Sequence, residues 1–378
     1  RRPPRSTPLY SSAASDVYKR QTLTGIFMIQ PDPIIVETVD RLLEEQCSAD
    51  VINAAEDGQW PASLWQSLED AGATQAWVPE AAGGGGATIA DGFAITRLAG
   101  KHAAPVPLAE TLLAGYLLAA AGLEVPTGPL TIAPVLGETE FCPNEQGGFE
   151  GSARRVPCVR NAGFMVATID GNARAGLGLF DRSSWRISEG DGIIKGLDAN
   201  VHLYGEAIAI ADTGDWRDPL LLMGAAVRSH QIAGALEHML AQSIEYAQTR
   251  NQFGRPISKF QAVQHNLAVL AGEAAAAGAA ADGAMKAIVL HGLDDARTFM
   301  AVASAKIRAG EAAGTGAAIA HQVHGAIGFT REYSLHQRTR RLWTWRDDFH
   351  PERVWADRLG RAVCAEGADR LWPSLTAI

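Results

Sequence analysis

Residues 246–265 read YAQTRNQFGRPISKFQAVQH, and this stretch decides the fold. Upstream, Ile232, Leu236, Met239 and Leu240 recur at i, i+4, i+7, i+8, the spacing that lines one apolar face of a helix. Gly254 and Pro256 end that helix, and a second one begins with Phe260, Val263, Leu267 and Leu270 on one face. Arg250, Gln252 and Gln261 are thereby left at a polar corner between two packed helices. Such a corner is either an ordinary solvated connection or a place that presents polar groups to a ligand.

Working outward, 378 residues suffice for two or three structural units. The formal charge of −9 argues against nucleic acid as a partner, because phosphate backbones need a basic surface. Cys47, Cys142, Cys158 and Cys364 are far apart, with no CxxC pair and no histidine at ligand spacing. That pattern indicates neither a disulfide framework nor a metal site, and implies a reducing, cytoplasmic setting. No apolar run reaches the roughly 20 residues that span a bilayer. No nucleophile elbow of the GxSxG kind is present.

Residues 1–27 are rich in Arg, Ser and Pro and precede a plausible start at Met28. They are read as a non-native or disordered leader; the head Pro3–Pro4 makes a poor amphipathic transit helix. Residues 28–124 carry helical faces, among them Ile34, Val36, Val39, Leu42 and Leu43, then Leu64, Trp65 and Leu68, then Phe93, Ile95 and Leu98. Trp77–Gly86 lacks the preceding strand and following Lys of a phosphate loop and reads as a connector. Residues 125–215 change texture to short apolar runs split by Gly, Pro and Asp, the signal of a small β domain. Residues 216–378 return to long Ala-rich helices, expected over 219–250, 259–291, 294–326, 334–348 and 351–371. The short connections predict that the first four form an antiparallel bundle.

The order Tyr246, Thr249, Arg250, Gln252, Phe253, Gly254, Arg255, Pro256, Ile257, Phe260, Gln261, Gln264, His265 resembles the signature of the acyl-CoA dehydrogenase family of flavoproteins. Gln322–Phe329, QVHGAIGF, resembles that family's QxxGGxGF turn, with Ala326 in place of the second glycine. Trp77–Gly86 is similar to its VPEELGG loop. The resemblance covers most of residues 33–360. It implies a mostly α fold with a helical N-terminal domain, a central β barrel and a C-terminal four-helix bundle. It implies FAD as cofactor, acyl-CoA as substrate, electron-transferring flavoprotein as electron acceptor, and a homo- or heterotetramer in which each FAD is built from two chains. The cofactor residues it implies are Arg250, Gln252, Phe253, Gln261, Gln322, His324, Gly325 and Ala326.

Dehydrogenation of an acyl-CoA needs a carboxylate that takes the α-proton while flavin takes hydride from the β-carbon. The resemblance places the family's two base positions at Phe349 and near Gly224, neither of which is an acid. The family's TEPxxGSD and WITNG segments, which hold the flavin ring, are absent. Asp348 is the remaining candidate base, since the adjacent Asp347 and Asp348 can raise one another's pKa. The competing reading makes both of them solvated acids ending a basic helix. Two functions follow: an FAD enzyme that forms an α,β-double bond in an acyl-CoA, or a non-catalytic subunit that completes a neighbour's FAD site in a heteromeric dehydrogenase, as in steroid side-chain systems.

Overall fold

The structure is a computed structural model in which residues 29–134, 141–170, 175–188, 193–194, 197–212 and 214–376 are described. The leader expected over 1–27 lies outside the described residues. The N-terminal part holds five helices: α1 Pro33–Gln46, α2 Ala49–Glu56, α3 Ala62–Asp70, α4 Ile89–Lys101 and α5 Leu108–Ala120. Their starts are written in the sequence. Asp32 caps α1, Ser48 caps α2, and Thr88 with Asp91 forms a reciprocal capping box on α4. Asp91 also accepts the Asp32 N–H, at 2.6 Å, so one buried carboxylate ties together the first turns of two helices.

The middle part is built from two four-stranded sheets, so the expected barrel takes the form of facing sheets. One runs β1 (Leu130–Ile132), β4 (Phe164–Asp170), β5 (Ala175–Asp181), β8 (Ala209–Ala211). The other runs β2 (Cys142–Pro143), β3 (Phe149–Val156), β7 (Ala199–Gly205), β6 (Trp185–Ser188). Met165, Ala167, Ile169 and Phe180 of the first meet Phe149, Ala153, Val201 and Leu203 of the second in one core. The β3 strand, FEGSARRV, is not signalled by composition: it carries two arginines and a glycine, and only Phe149, Ala153 and Val156 point inward.

The C-terminal helices are α6 Arg217–Thr249, α7 Gln261–His291, α8 Ala296–His324, α9 Leu335–Asp347, α10 Glu352–Glu366 and α11 Ala368–Thr376. The last two replace the single helix expected over 351–371, because Gly367 at φ 86° breaks it. Between α6 and α7 lies a two-stranded turn, β9 (Asn251–Gln252) paired with β10 (Arg255–Pro256). Among the described residues α7 alone is long and apolar enough to cross a membrane by composition; here it packs on α6 and α8.

Helix α6 also packs on α4, and two glycines set how closely. A Cβ at Gly100 would lie 2.1 Å from the Gln231 carbonyl oxygen, and one at Gly234 would lie 1.9 Å from that of Arg97. Backbone therefore touches backbone at this crossing, which only glycine permits. The middle of α6 is buried all round as a result, and residues 228–231 face chemistry on every side.

Candidate active site and cofactor corner

Helix α6 ends where the Arg250 N–H bonds the Tyr246 carbonyl. Phe253 (φ 51°) and Gly254 (φ 76°) then close the β9–β10 turn, both in the left-handed region. This backbone holds the Phe253 ring 92% exposed, an unusual position for a large apolar side chain. Arg255 lies over the Phe260 ring at 4.3 Å, whereas the guanidinium of Arg250 has no ion pair among the described residues. Gln252 and Gln261 are exposed beside it. The corner thus offers a free cation, two amides and a bare ring.

The second predicted motif comes to the same place. Helix α8 ends at His324, and Gly325 follows at φ 65°, its N–H returning to the His321 carbonyl. Tyr246 stacks on His324 with ring centroids 4.5 Å apart, and its hydroxyl donates to the His324 carbonyl at 3.3 Å. Gln322, Gly325 and Ala326 are exposed. His324 itself is turned inward: Nδ1 donates to the Ala320 carbonyl at 2.8 Å and Nε2 meets the Tyr333 hydroxyl at 3.1 Å. Its ring is therefore committed to the bundle, unlike the side-chain ligand that the resemblance implies. Beside this turn lies a cleft of about 520 Å³ walled by His321, Phe329 and Trp343, with Thr339, Arg331 and Arg340 on its border. His321 stacks against Phe329 at 4.1 Å, and its Nδ1 has no hydrogen-bond partner among the described residues. These exposed groups fit the phosphate and sugar of a dinucleotide, which want a cation, hydrogen-bonding amides and approachable backbone.

The centre where a base is expected is closed. The two family base positions touch: a Cβ at Gly224 would lie 2.3 Å from Cε1 of the Phe349 ring. Phe349 is buried at φ 51°, with His350 following at φ 70°, and Trp355 Nε1 donates to the Phe349 carbonyl at 2.8 Å. Against the ring, 5.8 Å from its centroid, lies the Arg228 guanidinium. Arg228 donates to Asp348 Oδ2 at 3.0 Å, to Glu110 Oε1 at 2.7 Å and to Gln231 Oε1 at 2.5 Å. Burial lowers its pKa, but Glu110 and Asp348 reverse that and hold it charged.

Asp348 is 1% exposed. Burial raises its pKa, with Arg228 opposing; the rise comes from desolvation, not from the neighbouring Asp347 as the sequence suggested. Asp347 instead faces Arg155 of β3, at 3.5 Å. The reading of two solvated acids fails for Asp348. Both acids have a local reason to sit at a helix C-terminus: the buried Lys306 ammonium donates to the Trp345 and Arg346 carbonyls, at 3.1 and 2.6 Å, and offsets the dipole there. Burial brings Lys306 down to about 7 and takes Asp198, near the same cluster, up to about 8. Burial likewise raises the Cys158 thiol.

Glu110 was missed by motif reading; Arg228 lies three residues past Ala225, near which the resemblance puts a substrate-contacting arginine. Their signal is a lone formal charge inside LAETLLAGYLLAA and inside LLLMGAAVRSHQIAGAL, two segments otherwise uncharged. A charge so placed is paired when folded.

Comparison with known proteins agrees with this architecture. Residues 33–125 match the acyl-CoA dehydrogenase N-terminal domain and residues 220–345 the C-terminal domain. The acyl-CoA dehydrogenase IpdE2 of Mycobacterium tuberculosis is 30% identical over 313 residues, covering 79% of this chain and 87% of the relative. IpdE2 of Mycolicibacterium smegmatis is 28% identical, covering 82% and 91%. Among solved structures, the ChsE4-ChsE5 complex from Mycobacterium tuberculosis superposes with a TM-score of 0.77 at 21% identity, covering 87% of this chain and 95% of that one. A variant of the Tcur3481-Tcur3483 steroid ACAD gives 0.77 at 24%, covering 89% and 98%. On the two domain matches and these relatives, the chain belongs to the acyl-CoA dehydrogenase family.

Proposed function

We propose that this chain is the non-catalytic subunit of a heteromeric acyl-CoA dehydrogenase and completes the FAD site of a partner subunit. The observation that carries the reading is the closed centre: Phe349 packed on Gly224, with Arg228 held between Glu110 and Asp348. A base must reach the substrate α-proton across hydrogen-bond distance, whereas Arg228 takes up Asp348 Oδ2 and Glu110 Oε1 and both carboxylates are buried. The cofactor corner, by contrast, is open. Bound FAD would supply the hydride acceptor for dehydrogenation of an acyl-CoA. Toward it this chain would contribute Arg250 as a cation for phosphate, Gln252, Gln261 and Gln322 as hydrogen-bonding amides, Phe253 as a cover, and the backbone of Gly325 and Ala326. The resemblance of the fold to two structures whose names join two chains supports assembly with a second, different chain. Electrons would then leave through the partner's flavin to electron-transferring flavoprotein, and the setting is cytoplasmic.

The competing reading, a self-sufficient enzyme with Asp348 as base, draws on one observation: burial raises that carboxyl above its ordinary value. The experiment that separates them is purification of the chain alone and together with a second acyl-CoA dehydrogenase chain from the same organism. The flavin spectrum is recorded with and without a panel of acyl-CoAs. The subunit reading expects bleaching only with the partner present. Bleaching of the chain alone, abolished by Asp348→Asn with FAD retained, overturns it.

A further inference from the structure

The segment 325–333, which leads away from the end of α8, is fixed at both ends by one edge of α6. Gln242 and Tyr246 are four residues apart, so their side chains are neighbours on that helix. At one end the Tyr246 ring stacks on His324 and its hydroxyl donates to the His324 carbonyl at 3.3 Å. At the other end Gln242 Nε2 donates to Ser334 Oγ at 2.9 Å. Tyr333 closes the clasp: its ring stands edge-on to Tyr246 at 6.0 Å, and its hydroxyl lies 3.1 Å from His324 Nε2. Burial lowers the His324 pKa and keeps that ring neutral. With the proton on Nδ1, Nε2 accepts and the Tyr333 hydroxyl donates.

The carbonyl that Tyr246 engages ends α8, where helix carbonyls have no partner farther along the helix, and it shares one rigid peptide plane with the Gly325 N–H. Gly325 turns away at φ 65°, so the setting of that plane directs the path of Ala326. Tyr246 reaches the first motif as well. Its own carbonyl accepts the Arg250 N–H at 2.9 Å, the bond at which α6 gives way to the β9–β10 turn. One partly buried residue thus holds both turns, while Arg250, Gln252, Gln322, Gly325 and Ala326 are exposed.

We propose that Tyr246 is a positioning residue of the cofactor corner: it keeps the Arg250 turn and the Gly325 turn at one fixed spacing, so that both meet the dinucleotide as a single preformed surface. This role rests on the reading that the corner completes a partner's FAD site. A preformed surface binds more tightly because less ordering is left to occur on binding.

The test is equilibrium dialysis of FAD against the complex with the partner chain, for the parent, Tyr246→Phe, Tyr246→Leu and Arg250→Ala, together with amide hydrogen exchange of the isolated chain. Tyr246→Phe keeps the ring and removes the hydroxyl. Its complex is expected to bind FAD about three- to tenfold more weakly, the range of one neutral hydrogen bond. Tyr246→Leu, which also removes the stack, is expected to bind more weakly still; if it does not fold, Tyr246→Phe decides alone. In the Tyr246→Phe chain exchange should quicken at 325–329 and keep the parent rate in the middle of α6. A Tyr246→Phe complex that binds FAD as tightly as the parent, while Arg250→Ala loses it, overturns the proposal and leaves the corner a cofactor site. An Arg250→Ala complex that keeps its flavin overturns the cofactor reading and the proposal with it. Exchange that quickens throughout the chain makes Tyr246 a merely structural residue, and weaker FAD binding with unchanged exchange at 325–329 makes it a direct contact; either result overturns the positioning role.

Discussion

Phe349 lies so close to Gly224 that a methyl group added to the glycine would be 2.3 Å from the ring's Cε1. In an ordinary helix Gly→Ala gains up to about 1 kcal/mol. Here Gly224→Ala is expected to cost about 1–3 kcal/mol, because the buried ring has nowhere to move. Urea unfolding of Gly224→Ala, Phe349→Ala and the double variant checks this. The double variant should be more stable than the sum of the singles predicts, since the small side chain at 349 makes room for the methyl. Strict additivity would mean that the two residues are not in contact and that the centre is open.

Arg228 neutralises two buried carboxylates at once, Glu110 and Asp348. Arg228→Met strands both, and the expected loss is about 3–5 kcal/mol. Adding Glu110→Gln and Asp348→Asn removes the stranded charges and should recover a good part of that loss. The same variants bear on chemistry. If Asp348→Asn left stability untouched and only stopped flavin reduction, Asp348 would be a base and not part of an ion cluster.

What the sequence disclosed and what it hid follow from range. The helix α6 expected over 219–250 is observed as Arg217–Thr249, and α7 expected over 259–291 is observed as Gln261–His291. Those boundaries depend on periodicity and on Gly254 and Pro256, which are local. The Tyr246–His324 stack that unites the two cofactor motifs was foreseeable only through the resemblance, which put both motifs at one cofactor. The ion cluster was not legible: Arg228 meets Glu110 and Asp348 across 118 and 120 residues, and no local pattern encodes such a meeting. Nor does spacing tell that the residue after Asp348 turns its ring into the space beside Gly224.

Asp198 gives the centre a pH dependence with a definite sign. Its folded pKa, raised by burial and by Asp348 to about 8, exceeds the value of 3.8 expected of a free aspartate. Between those values the folded chain holds a proton that the unfolded chain has released, so this group's contribution to stability falls as pH rises from about 4 to about 8. Asp198→Asn removes that slope. The stability difference between variant and parent should grow in the variant's favour across the window, by something on the order of a few kcal/mol, and level off above it. Parallel pH profiles for the two proteins would show that Asp198 is ionised and solvated throughout.

The cofactor corner makes the opposite kind of prediction, function without stability. Arg250 and Gln252 are exposed, and neither side chain bonds elsewhere among the described residues. Arg250→Ala and Gln252→Ala should therefore leave the unfolding of the isolated chain within about 0.5 kcal/mol. In the assembled complex, loss of the Arg250 charge should lower FAD retention about 10- to 100-fold, the range of a hydrogen bond to a charged group. Phe253→Ala should weaken the assembly, because a ring that is 92% exposed at a left-handed backbone position is held there for a covering surface. Gel filtration with flavin absorbance measures both quantities in one run. An Arg250→Ala complex that keeps its flavin would detach the corner from the cofactor, leaving only the solvated helix connection that the stretch 246–265 also allowed.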